Sequence, residues 1–147
     1  MLKKISLLIF ILVPVLILSW MQLKDSHMSS NDTKMFELAM AKELYTSNCS
    51  SCHMDNLSGN SEWKSSLDKE GQRLPPPLDG TGHTWHHAPQ QLFDIIRYGY
   101  KKTNPNYQGK MLGNENLTDD EIWSIFEYIQ GMWSEDIRTK YDSNFGG

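Results

Sequence analysis

Cysteine is scarce in this chain: Cys49 and Cys52 are the only two in 147 residues. A zinc site would need further Cys or His at compatible spacing, and no second Cys pair supplies them. Internal repeats and convincing strand patterns are missing as well, which leaves a mainly α domain. Basic charge is the minority: 14 Lys and Arg stand against 18 Asp and Glu, for a net charge of −4. That balance gives no footprint for nucleic-acid binding. Only one long hydrophobic run exists, Ile5 to Met21. The length therefore fits one domain plus a single membrane or targeting element.

The two cysteines stand together in Cys49-Ser50-Ser51-Cys52-His53. Two thiols three positions apart, with His directly after the second, form the attachment signature of a c-type haem. One helical turn lets both thiols reach the two vinyl groups of a porphyrin, and His53 beneath the ring supplies a nitrogen to iron. A structural disulfide across a two-residue loop is strained and rare. A thioredoxin-like redox pair wants a βαβ setting, for which the sequence offers no pattern.

Residues 1–21 read as a membrane anchor. Lys3 and Lys4 precede a run that is almost wholly aliphatic from Leu7 to Leu18, and Trp20 closes it. As a helix, Ile5 to Met21 spans about 26 Å, slightly under a ~30 Å hydrocarbon core. The residues after the run are Trp20, Met21, Gln22 and Leu23, without the small-residue pattern of a cleavage site. An uncleaved anchor with Lys3 and Lys4 inside is expected, with a cleaved signal as the alternative. Residues 22–33 read as a polar tether, 34–134 as the haem domain and 135–147 as a polar, frayed tail.

Within the domain a first helix is expected from Asp32 or Thr33 to about Ser47, with Phe36, Met40, Ala41, Leu44 and Tyr45 on one face. Asn56 to Gly82 is rich in Ser, Asn, Gly and Pro and reads as irregular loop. A second helix begins at Pro89 and stops at Gly99. A third starts at Thr118, where Glu121 completes a capping box, and carries Ile122, Ile125, Phe126, Ile129 and Met132 as its apolar stripe.

A strong second protein ligand on iron favours electron transfer, whereas an open position permits binding or catalysis. Met111 is the candidate among eight methionines, because it lies in a loop between Gly109 and Gly113 rather than on a helix stripe. His83, His86 and His87 form a second cluster that could bind copper or zinc, or supply the ligand instead of Met111. The plainer reading is a polar loop at the haem edge, with Trp85 and one His bonding propionates or backbone.

With these residues in view, the chain resembles the small bacterial class I cytochromes c, from roughly Phe36 to Trp133. Ala41-Lys42-Glu43-Leu44-Tyr45 resembles the family's first helix, although Ala41 stands where the family often has Gly. Pro76-Pro77-Leu78-Asp79-Gly80 resembles its Pro-x-Leu-x-Gly, and Leu117 to Ile122 is similar to the start of its last helix. Around the sixth ligand the family usually reads Met-Pro, whereas Leu112 follows Met111 here. The resemblance implies a fold of three to four helices around one covalent haem c, after an N-terminal transmembrane helix. It also implies that the Pro76 carbonyl accepts the Nδ1 proton of His53 and orients the ring.

The expected protein is a monohaem one-electron carrier rather than an enzyme. It is tethered to a bacterial inner membrane, with its haem domain on the periplasmic side among redox protein partners. A haem sensor or small haem enzyme with a labile sixth ligand is one alternative. An oxidase-associated or metallochaperone subunit is another. Arg97, Lys101, Lys102 and Lys110 form an acid-free run from Arg97 to Lys110, followed by a purely acidic stretch to Ile137. The basic run leads to Met111 and is expected to rim the haem edge and steer partners.

Overall fold

The computed structural model describes residues 29–146. The expected anchor over residues 1–21 lies outside the described residues, as does most of the tether. Among the described residues, no helix is long and apolar enough to cross a membrane. The chain divides into two units, residues 1–36 and 37–147.

Helix α1 spans Ser30–Asn48. It begins two to three residues earlier than the sequence pattern indicated, because Ser29 caps it. The Ser29 hydroxyl accepts the Asn31 N–H at 3.3 Å, and the Ser29 carbonyl accepts that of Thr33 at 3.1 Å. Its buried stripe is narrower than expected. Ala41 and Tyr45 are enclosed and Leu44 packs beside them, while Phe36 and Met40 stay exposed.

Helix α2 is a single turn, Ser50–His53, and carries the Cys-Cys-His signature. A long irregular loop follows, in which an isolated antiparallel bridge, Leu67 with Arg73, is the only β pairing among the described residues. Helix α3, Pro89–Tyr98, starts on its proline, and Gly99 ends it. Helix α4, Asp119–Gly131, starts with the capping box that Thr118 and Glu121 promise. Ile122, Ile125, Phe126, Tyr128 and Ile129 are its buried side. Met132, expected on that stripe, is instead exposed, because the helix ends at Gly131 and the turn carries Trp133 inward.

The expected frayed tail is replaced by a fifth helix, α5, over Glu135–Phe145. The Ser134 hydroxyl caps it by accepting the Ile137 N–H at 3.4 Å. Its Ile137, Tyr141 and Phe145 recur every four residues, so one face is apolar although the segment is polar overall. Tyr141 packs edge-on against Trp133 at 5.2 Å and Phe126 at 5.9 Å. The core of the second unit mixes aliphatic and aromatic side chains around α4: Leu92 and Phe93 of α3 pack on one side, with Phe93 stacked on Trp123 at 5.0 Å, Tyr141 of α5 on another, and Tyr45 of α1 tilts against Tyr128 at 5.5 Å.

Candidate haem site

Helix α1 delivers the chain into Cys49, whose N–H donates to the Tyr45 carbonyl at 2.8 Å. Cys49 is half-buried and Cys52 exposed, and both thiols are free. The turn is closed by the His53 N–H donating to the Cys49 carbonyl at 3.0 Å. Burial, and secondarily the Cys52 thiol, pushes the Cys49 thiol up to about 11, so at neutral pH the free chain carries a thiol there. Beyond His53, Met54 takes φ +66° and ends the turn, and the Tyr45 hydroxyl grips its carbonyl at 2.8 Å.

His53 Nδ1 lies 2.9 Å from the Pro76 carbonyl oxygen. A carbonyl can only accept, so the imidazole proton sits on Nδ1 and the lone pair on Nε2. Burial lowers the basicity of the ring below that of a free histidine, and the bond to Pro76 offsets part of that. His53 therefore presents a neutral, oriented nitrogen donor beside two free thiols. That donor set fits a covalently attached haem.

The segment bearing Pro76 is strapped to the loop after His53. Leu57 donates no side-chain polarity but offers its carbonyl to the Leu78 N–H at 2.7 Å, and Asn60 N–H donates to Pro75 at 2.8 Å. Gly59 makes this approach possible. It sits at φ +57°, and a Cβ there would lie 2.4 Å from the Pro76 carbonyl carbon. On the other side, the Trp133 indole donates to the Leu78 carbonyl at 2.8 Å.

Met111 lies half-buried in the loop between α3 and α4. Its carbonyl accepts the Tyr100 N–H at 3.0 Å, and its N–H donates to the Tyr107 hydroxyl at 3.1 Å. Gly113 at φ +85° brings the loop onto the end of α3, where a Cβ would lie 2.5 Å from the Gly99 nitrogen. Asn114 then donates to the Asn48 side chain at 2.7 Å, tying the loop to the end of α1 just before Cys49.

The three histidines of the second cluster are not brought together around a common point. His83 stacks on Trp63 at 5.0 Å and meets His87 edge-on at 5.2 Å, whereas His86 turns to Trp85 at 3.7 Å. Among the described residues no group of three or more His, Cys, Asp or Glu is arranged to hold a metal ion. Trp85 packs against the core, with Lys140 of α5 over its ring at 6.0 Å.

The basic run is also divided. Arg97 is largely enclosed, bonded to Asp119 and to the Leu117 carbonyl. Lys102 pairs with Asp94 at 2.7 Å and lies over the Tyr98 ring at 4.2 Å. Lys101 and Lys110 are exposed and, among the described residues, make no ion pair. Sequence reasoning missed Gly59 and Trp133. Nothing in a loop glycine or a helix-end tryptophan announces which backbone it will meet.

Residues 37–129 match the family described as cytochrome c oxidase, cbb3-type, subunit III. Cytochrome c-555 of Prosthecochloris aestuarii is 26% identical over 105 residues, covering 67% of this chain and 90% of that protein. No solved structure matches the chain. The matched span runs from the middle of α1 nearly to the end of α4, and so includes both thiols, His53, Pro76 and Met111. The chain belongs to this cytochrome c family, as a small class I c-type cytochrome whose cofactor is covalently bound haem c with its iron.

Proposed function

We propose that the protein is a membrane-tethered one-electron carrier, with Cys49 and Cys52 as the thioether residues and His53 and Met111 as the axial ligands. Haem c, when bound, supplies a centre that alternates between ferric and ferrous states. The chain holds His53 in one tautomer and fixes the Met111 loop. The bond of His53 Nδ1 to the Pro76 carbonyl at 2.9 Å, beside two free thiols, carries the reading. A carbonyl on the far ring nitrogen fixes both the orientation and the donor strength of an iron-binding imidazole. Electron transfer rather than catalysis follows if the Met111 thioether fills the remaining position, since no site is then open to substrate.

Residues 1–21 would hold the domain at a bacterial inner membrane, N-terminus cytoplasmic and haem domain periplasmic, which raises its effective concentration near membrane redox partners. Residues 37–147 would form the haem domain, with α5 as part of it rather than a tail.

Substitution of Met111 tests the carrier against the sensor or enzyme alternative. In the haem-loaded protein, Met111→Ala should leave haem attached through denaturation but turn the iron high-spin and open to added ligands. Met111→His should stay low-spin at a lower potential, because imidazole stabilises ferric iron better than a thioether does. An absorption spectrum unchanged by Met111→Ala would move the ligand elsewhere and sink the assignment.

A further inference from the structure

Trp133 lies beyond the residues that match the family, at the junction of α4 and α5. It is 3% exposed, and its ring is held by Phe126 at 6.2 Å and Tyr141 at 5.2 Å. Its Nε1–H donates to the Leu78 carbonyl at 2.8 Å. Leu78 stands two residues after Pro76, and the three prolines before it, Pro75, Pro76 and Pro77, have no N–H to donate. Leu78 is therefore the first residue at which this segment can be held through both of its peptide groups. Its N–H is taken by Leu57, from the loop that follows His53, and its carbonyl by Trp133.

We propose that Trp133 is a positioning residue for His53: through Leu78 it fixes the Pro76 carbonyl that orients the imidazole, and so tunes the redox potential from the C-terminal side of the domain. This rests on His53 being an axial ligand. A well-aligned carbonyl on Nδ1–H strengthens donation from the ring and favours ferric iron. Without the indole donor the Leu78 carbonyl is free to seek water, the strap loosens, and the bond from His53 to Pro76 weakens. The potential then moves upward.

The test uses Trp133→Phe in the haem-loaded protein, which keeps an aromatic ring against Phe126 and Tyr141 and removes the donor together with part of the indole's volume. The midpoint potential should shift upward, and the His53 Nδ1 proton should exchange faster with solvent, at unchanged helix content. Wild-type values for both would overturn the proposal. Phe126→Leu loosens the same aromatic cluster without touching Leu78. It should leave the potential in place, and an equal shift in both variants would reduce Trp133 to core packing and overturn the proposal. If Trp133→Phe does not fold, wild-type hydrogen exchange decides. The Trp133 indole proton and the His53 Nδ1 proton should show the same protection, opening in one event, whereas a freely exchanging indole beside a protected His53 overturns the clamp. In oxidised wild type, His53 ring resonances without paramagnetic shifts would overturn the ligand assignment itself, before any variant is compared.

Discussion

At Pro76 a single carbonyl orients His53, and it is reached because Gly59 has no side chain in the way. Gly59→Ala would place a Cβ 2.4 Å from the Pro76 carbonyl carbon and force Ala into the left-handed region. The two effects together should destabilise the fold by about 2–4 kcal/mol, read as a lower urea midpoint of the haem-loaded protein. A loss within ~0.5 kcal/mol, the range of ordinary surface substitutions, would mean that the strap yields without cost. The pairing of His53 with Pro76 was legible only through the family resemblance of Pro76-Pro77-Leu78-Asp79-Gly80, because the two residues stand 23 positions apart and neither motif alone names its partner. Gly59 was not. Ten glycines punctuate the chain, and the identity of the backbone that closes on one of them is a long-range fact.

The helices divide along the same line. The start of α4 could be read directly, because a capping box is a three-residue relation within one strand of chain. Helix α5 was missed because its polar composition outweighed the four-residue recurrence of Ile137, Tyr141 and Phe145, and the partners of Tyr141 lie elsewhere, Phe126 on α4 and Trp133 in the turn that follows it. The capping box also makes α4 sensitive to acid. The Thr118 N–H and, secondarily, its hydroxyl hold the Glu121 carboxyl below its ordinary range, with Arg97 adding a small pull the same way. A carboxyl with a lowered folded pKa contributes stability above its unfolded value, near 4.5, and that contribution is lost as pH falls through the lower folded value. Glu121→Gln keeps an acceptor at this position but no titrating charge. Urea midpoints of wild type and variant should therefore differ at neutral pH and converge as the solution is acidified through the lowered folded pKa. A gap that stays constant with pH would remove the carboxylate from the cap.

Across the whole molecule, charge is arranged against the net value of −4. The acidic stretch after Met111 is carried largely by α4, whose first turn holds Asp119, Asp120 and Glu121. The four cations before Met111 are a smaller resource than their sequence run implied. Arg97 is spent on the entrance of α4 and Lys102 on Asp94, so both are structural. Lys101 and Lys110 remain, and the backbone bond between Tyr100 and Met111 brings their neighbouring residues side by side. Exposed Tyr98, Tyr100 and Leu112 lie in the same stretches as Lys101 and Lys110, which make no ion pair among the described residues. A basic rim of this kind acts mainly on the rate of encounter with an acidic partner and is screened beyond about 8–10 Å at physiological salt. Lys101→Glu with Lys110→Glu should therefore slow electron transfer to the physiological partner at low salt, and the difference should shrink as salt rises, at unchanged spectrum and potential. Lys102→Glu is the contrasting variant: it sets two carboxylates against each other at Asp94, and its first effect should be on stability. Equal low-salt rates for wild type and the Lys101, Lys110 double variant would take this rim off the docking surface and leave the contact to the apolar residues alone.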